Sequence, residues 1–72
     1  MDEISDRELA VLADLYDRFA HAIDPFSDAR DLAENQFYGM LNQLRCRCAP
    51  AMDERAFNRG VVARCKQYLA KN

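Results

Sequence analysis

The sequence is poor in the two residues that most often interrupt regular structure. Its 72 residues include only two glycines and two prolines, and each proline falls between stretches of helical periodicity. The chain therefore contains no flexible linker rich in these residues, and it shows no internal repeat and no low-complexity stretch. A chain of this length forms one domain, so we predict a single three-helix domain over residues 1–72.

Long apolar runs are also missing. None approaches the roughly 20 residues that a membrane-spanning helix requires, and the first residues, Met1-Asp2-Glu3, lack the basic character of a signal peptide. The three cysteines are an odd number without framework spacing, whereas small secreted domains usually pair all of theirs. These features predict a cytoplasmic protein with reduced thiols and no membrane partner.

Recognisable catalytic and ligand-binding motifs are absent as well. The sequence has no glycine-rich phosphate loop, no C-x-x-C or C-x-x-H knuckle, and no calcium-loop spacing among its carboxylates. The single histidine, His21, has no serine or cysteine that the pattern places beside it, although Asp17 lies one turn before it. The sequence therefore predicts a protein that is not an enzyme and that uses no cofactor and no metal.

The cysteines leave one metal alternative open. Cys46 and Cys48 would lie about 200° apart on a continuous helix, where they cannot hold one ion together. If the helix ended at Cys46, both sulfurs would turn inward and join Cys65 and His21 as a four-ligand zinc set. In the simpler interpretation, Cys48 and Cys65 are small apolar core residues and Cys46 is an exposed thiol. A metal- or thiol-linked sensor built on these cysteines is the third functional hypothesis.

The sequence does contain three amphipathic segments, and each follows a residue that caps helices. Ser5 and Glu8 have the spacing of a capping box. The second segment follows Ser27 or Asp24, and the third follows Asp53. Apolar residues recur at helical spacing behind each of these starts. The pattern predicts an all-α, compact three-helix bundle with helices at about 6–23, 28–47 and 54–70.

The apolar faces of these segments predict the members of the core. Ile23 belongs to the core face of the first helix and Ala29 to that of the second. Gly60 lies near the core face of the third helix, where it costs about 1 kcal/mol relative to alanine; a close approach of two helices would explain it. The residues predicted to share one core are Phe19, Phe37, Met40, Leu44, Phe57 and Val61.

Charge is divided unevenly along the chain. Residues 1–36 hold ten acidic and three basic residues, a formal charge of −7, whereas residues 37–72 hold two acidic and seven basic residues, a formal charge of +5. Such a dipole either holds the two halves together or steers a charged partner. We expect Arg64, at the edge of the third core face, to pair with a carboxylate on a neighbouring helix. The candidates are Asp17, Asp31 and Glu34.

A basic stripe runs along the third predicted helix. Arg55, Arg59 and Lys66 fall within about 40° of one another on a helical wheel, opposite the core face, and Arg45 and Arg47 are candidates to extend it. A small DNA-binding transcription regulator that uses this helix is the second hypothesis. The link of about five residues is longer than the usual turn, and a pI of about 5.2 is low for a DNA-binding domain, so nucleic acid is the less favoured partner.

Apolar residues outside the core stripes point to protein partners. Val11 and Leu15 lie one turn apart beside the main stripe of the first helix, where they suit a self-complementary dimer contact. The leading hypothesis is a small non-enzymatic interaction or regulatory module that forms a homodimer and binds an acidic protein surface. The residues predicted to contact partners are Val11, Leu15, Tyr38, Arg55, Arg59 and Lys66.

Overall fold

The computed structural model describes residues 4–24 and 26–71, which form three α-helices. α1 contacts both other helices, whereas α2 and α3 touch each other over a shorter stretch. The all-α three-helix bundle predicted from the sequence is confirmed. No helix in this part of the chain is long and apolar enough to span a membrane. The bounds of the helices are Asp6–Ala20 for α1, Asp28–Cys48 for α2 and Glu54–Lys71 for α3.

Each helix begins at a side chain that the sequence marks as a cap. The Ser5 hydroxyl accepts the backbone N–H of Glu8 at 3.2 Å, and the Glu8 carboxylate accepts the backbone N–H of Ser5 at 3.0 Å. This reciprocal pair completes the predicted capping box. Ser27, and not Asp24, caps α2, while Asp53 caps α3. Both accept the backbone N–H three residues later, at 3.1 Å.

A continuous hydrophobic core joins the three helices. Four of the six side chains predicted for it are buried, and the other two, Phe19 and Met40, are half-buried against it. Phe37 is fully buried, and its ring centroid lies 5.2 Å from that of Phe19 and 5.8 Å from that of Tyr16. Burial of such a side chain contributes about 1.5–3 kcal/mol. The buried members of the core are Leu12, Ala13, Phe37, Leu41, Leu44, Phe57, Val61 and Cys65.

The first helix ends three residues before its predicted boundary. The sequence predicted α1 to extend to Ile23, but the helix ends at Ala20. Ile23 is fully exposed instead of facing the core. Asp24 precedes a proline and is biased away from helical backbone angles. This constraint alone would allow the helix to continue to Ile23, but the chain leaves the helix after Ala20. The other two C-terminal ends differ by one residue, since α2 ends at Cys48 and α3 at Lys71.

Three further sequence predictions, for single residues, are wrong. Ala29 is exposed in the first turn of α2. A Cβ atom added to Gly60 would meet no atom within 4 Å, so a close approach of helices does not explain this glycine. Arg64 is exposed, and within the described residues no carboxylate pairs with it. The ion pair between helices is made by Glu8 and Arg47 instead.

The direction of α3 explains why Arg64 does not reach its expected partners. α1 and α2 are antiparallel, so that the ring of Phe19 near the end of α1 meets Phe37 in the first half of α2. The start of α3 lies beside Tyr38 of α2, and its last turns lie beside Leu9 of α1. α3 therefore runs in the opposite sense to α1. This direction carries Arg64 to the first turns of α1 and away from the three acidic candidates.

Candidate protein-interaction surface

A shallow groove, open to solvent, lies between the middle of α2 and the start of α3. It is lined by Tyr38 from α2 and by residues 53–55 and Asn58 from the α3 side. Tyr38 is 46% exposed, while its ring centroid lies 5.3 Å from that of Phe37 and 6.1 Å from that of Phe19. The core thus supports the ring from behind, and the rest of the ring faces solvent. A tyrosine fixed in this way contacts a partner at a low cost in conformational entropy.

The fold brings two of the predicted partner-binding residues together. Tyr38 and Arg55 are distant in sequence, yet both line this groove, which we call the Tyr38–Arg55 groove. Arg59 and Lys66 are exposed further along α3. We keep the name basic stripe for Arg55, Arg59 and Lys66. Within residues 4–24 and 26–71, none of these three side chains forms an ion pair.

The charge along the groove changes sign at the first turn of α3. Asp53 and Glu54 lie at the start of the helix, where negative charge is favourable beside the helix dipole. The Asp53 carboxylate is already used, because it accepts the backbone N–H of Ala56 at 3.1 Å. From Arg55 onwards the exposed charge on this side of α3 is positive. An acidic partner is therefore favoured along the basic stripe and disfavoured at the helix start.

The predicted apolar flank of α1 is smaller in the structure than in the sequence pattern. Val11 is 46% exposed, but Leu15 is half-buried and packs against the core. The reason is that α1 contacts both other helices, so side chains beside its main stripe are also covered. Neither residue lines the Tyr38–Arg55 groove. The one-turn pair expected for a dimer contact is thus reduced to Val11.

The two arginines near the end of α2 do not extend the basic stripe, because both are used within the domain. The Arg47 guanidinium donates to both carboxylate oxygens of Glu8 at 2.9 Å. These hydrogen bonds, helped by the backbone N–H of Ser5, lower the pKa of Glu8 to about 2. The same pairing raises the pKa of Arg47. Arg45 donates to the backbone carbonyl of Met52 at 3.4 Å.

The three cysteines do not converge on one site. Cys46 is exposed, Cys48 is half-buried, and Cys65 lies in the core, where burial raises the pKa of its thiol. The Nδ1 atom of His21 lies 2.7 Å from Oδ1 of Asp17 on the exposed surface of α1. In the described part of the chain, no three His, Cys, Asp or Glu side chains are grouped so that they could hold a metal ion.

The sequence reasoning missed the most exposed apolar side chains. Ile23 and Phe26, in the α1–α2 connection, are 102% and 88% exposed, and Leu32, in the second turn of α2, is 58% exposed. We call Ile23 and Phe26, which lie three residues apart in the connection, the apolar corner. Asp24 and Asp28 flank Phe26 in sequence, and neither pairs with a base among the described residues. The available signal was Phe26 itself, a large aromatic residue that no helical stripe includes.

Comparison with known proteins adds no function to these surfaces. No family model, curated protein or solved structure matches the chain.

Proposed function

We propose that this chain is a small, non-enzymatic protein–protein interaction module that binds an acidic protein surface through the Tyr38–Arg55 groove and the basic stripe. The observation that carries the proposal is the exposed ring of Tyr38, supported by the core, beside Arg55, which has no ion-pair partner in the described residues. Tyrosine and arginine are enriched among the few residues that supply most of the energy of a protein interface.

The state of the basic residues supports an acidic partner. Arg47 already donates to a carboxylate within the domain, whereas the basic stripe has no such partner in the residues described. A carboxylate of a partner can therefore form an ion pair with a residue of the basic stripe without breaking a pair inside the domain. Charges at the rim of an interface mainly raise the association rate and make binding sensitive to salt. We expect the complex to form fastest at low ionic strength.

A DNA duplex is the alternative ligand for the same stripe. Its binding would weaken steeply as salt rises, because each phosphate contact releases counterions. One feature of the groove favours a protein instead, because the exposed ring of Tyr38 offers an apolar contact that a duplex backbone does not use. Asp53 and Glu54 repel phosphates and carboxylates alike, so they do not distinguish the two ligands.

Photo-crosslinking in cells that naturally produce the chain tests this function. With p-benzoylphenylalanine in place of Tyr38, we expect a discrete crosslinked protein band. The double substitution Arg55→Glu with Arg59→Glu should remove the band while circular dichroism shows an unchanged helical fold. Arg64→Glu is the matched control, because it reverses the same charge on another face of α3. A band that survives the double reversal, or the absence of any band, would contradict the proposal.

A further inference from the structure

The apolar corner has acidic neighbours, whereas the basic stripe that begins in the Tyr38–Arg55 groove has the opposite charge. The corner has exposed apolar side chains beside Asp24 and Asp28, neither of which forms an ion pair among the described residues, while Asp24 accepts the backbone N–H of Phe26 at 3.0 Å.

The groove exposes Tyr38 at 46%, and the basic stripe begins at Arg55, directly after Asp53 and Glu54. The corner therefore offers apolar side chains beside acidic groups, and Tyr38 with Arg55 and Arg59 offers an aromatic ring beside basic ones, which is the arrangement that complementary interfaces use. Asp53 and Glu54 lie outside this match, and the corner must avoid them.

We propose that the apolar corner of one copy of this chain docks onto the Tyr38–Arg55 groove of a second copy. This inference rests on the proposed function, because it names the acidic surface that the groove binds. In the docked pair, Phe26 is the apolar anchor that contacts Tyr38. Asp24 and Asp28 of the same copy face the basic stripe of the other.

A second copy fits this surface better than an unrelated partner for two reasons. The charge split of the whole chain, −7 in residues 1–36 and +5 in residues 37–72, gives every copy an acidic half and a basic half that attract those of another copy. A chain of this size also buries only about 60% of its unfolded surface on its own, so that covering Phe26, which is 88% exposed in the single chain, adds buried apolar surface. Association of small domains is a common source of additional stability.

The contact joins two different surfaces, and this sets the form of the assembly. A dimer forms if both corner-to-groove contacts close at once across a two-fold axis; otherwise the copies join head to tail into a ring or a longer chain. In each case the average mass of the species in solution exceeds that of the 8.3 kDa chain and rises with protein concentration. The contact also weakens as salt rises, since exposed charges lie at its rim.

Sedimentation velocity of the purified, reduced chain at several concentrations tests the contact. We expect the wild-type chain to associate, and Phe26→Ser to weaken association by roughly 30-fold or more, the effect of losing a buried aromatic anchor. Val11→Ser tests the rival contact predicted on α1, and it should leave association unchanged if the corner and the groove form the contact. Loss of association in Val11→Ser but not in Phe26→Ser would overturn the inference in favour of the α1 flank.

A charge-exchange experiment identifies the two faces directly. One variant carries Asp24→Lys with Asp28→Lys, and the other carries Arg55→Glu with Arg59→Glu. Each variant alone should be monomeric, with its helical content checked by circular dichroism. Their equimolar mixture should associate again, because the reversed charges are complementary once more. A mixture that stays monomeric, although the wild-type chain associates, would overturn the proposed pairing.

The outcomes separate this inference from the proposed function. A wild-type chain that is monomeric at every concentration, combined with a charge-dependent crosslink from position 38 to another protein, would overturn the second-copy inference and leave the interaction module in place. A monomeric chain with no charge-dependent crosslink would overturn both. A crosslinked band at twice the mass of the chain, which the Phe26→Ser substitution removes, supports both.

Discussion

The two ends of the α1–α2 pair have opposite characters. At one end, which we call the closed end, Glu8 bonds both the backbone of Ser5 and the guanidinium of Arg47, so that acid and base satisfy each other within the domain. At the other end, the apolar corner exposes Ile23 and Phe26 to solvent. The same antiparallel pair of helices thus has its charged groups paired at one end and apolar side chains exposed to solvent at the other.

The difference between the two ends shows how little of the charge split of the sequence is neutralised by ion pairs between the two halves. Only one long-range ion pair, Glu8–Arg47, joins the acidic and basic halves within the described residues. The other ion pairs in those residues are formed within a single helix or, for His21 and Asp17, at its end. Most of the basic charge of α3 therefore stays available to a partner. The contrast between the two ends can be tested by substitutions that should affect them unequally.

The largest expected effect comes from comparing two phenylalanines of opposite environment. Phe37, near the middle of α2, is fully buried, whereas Phe26, two residues before α2 begins, is 88% exposed. Phe37→Ala should lower the free energy of unfolding by about 3–5 kcal/mol, because it leaves a cavity in the core. Phe26→Ala should change it by no more than about 0.5 kcal/mol. Urea unfolding at low protein concentration measures both, since association would otherwise add to the stability.

Similar losses from the two substitutions would show that Phe26 packs within the single chain. The apolar corner would then not be free to act as a docking surface.

An intermediate effect is expected from the two serine caps, one at each end. Ser5→Ala and Ser27→Ala each remove a hydroxyl that accepts one backbone N–H, from Glu8 and Arg30 respectively. Each should cost about 1 kcal/mol of unfolding free energy. Equal losses, measured by thermal or urea unfolding, would show that the ends differ in apolar exposure and charge and not in how their helices begin. A loss confined to Ser5→Ala would mean that α2 is held mainly by packing.

The smallest expected effect is a pH dependence that belongs to the closed end. The pKa of Glu8 is lowered from 4.5 to about 2 in the folded chain, first by Arg47 and then by the backbone of Ser5. A carboxylate with a lowered folded pKa stabilises the fold above its unfolded pKa, and this contribution is lost as the pH falls from 4.5 towards 2. Glu8→Gln should therefore make the loss of stability in this window shallower.

Two features make the pH experiment specific to the ion pair. Glutamine keeps a side-chain oxygen for the capping box, so Glu8→Gln leaves the helix start intact. Arg47→Gln should flatten the same pH window, because it removes the main cause of the lowered pKa of Glu8. Urea unfolding across the window measures both variants. An unchanged slope in each of them would indicate that Glu8 does not contribute to acid stability.

The sequence predicted the helices well because local signals determine them. Ser5, Ser27 and Asp53 mark the helix starts, and the apolar spacing identifies most of the core, including Phe37 and Cys65. Helix ends carry weaker signals. The pre-proline residue Asp24 limits how far α1 can continue, but it does not specify where the helix stops. The prediction for Ile23 was wrong for that reason.

The candidate surface was predictable only in part. The face of Arg55, Arg59 and Lys66 follows from helical periodicity, which a sequence displays directly. The proximity of Arg55 to Tyr38 does not follow from it, because that proximity depends on where the α2–α3 connection places the start of α3. The burial of Leu15 and the exposure of Phe26 likewise depend on which helices lie against them, and a pattern along one helix does not contain that information.

The sequence by itself determined three amphipathic helices, their caps, a shared core and a division of charge between the halves of the chain. These properties arise from interactions among residues that are close in sequence, together with the burial of apolar faces. Only the tertiary structure decided that Glu8 meets Arg47, that α3 runs opposite to α1, and that Tyr38 and Arg55 share a groove while Phe26 remains exposed. Those outcomes depend on the direction and packing of whole helices, which short connections and long-range contacts fix together.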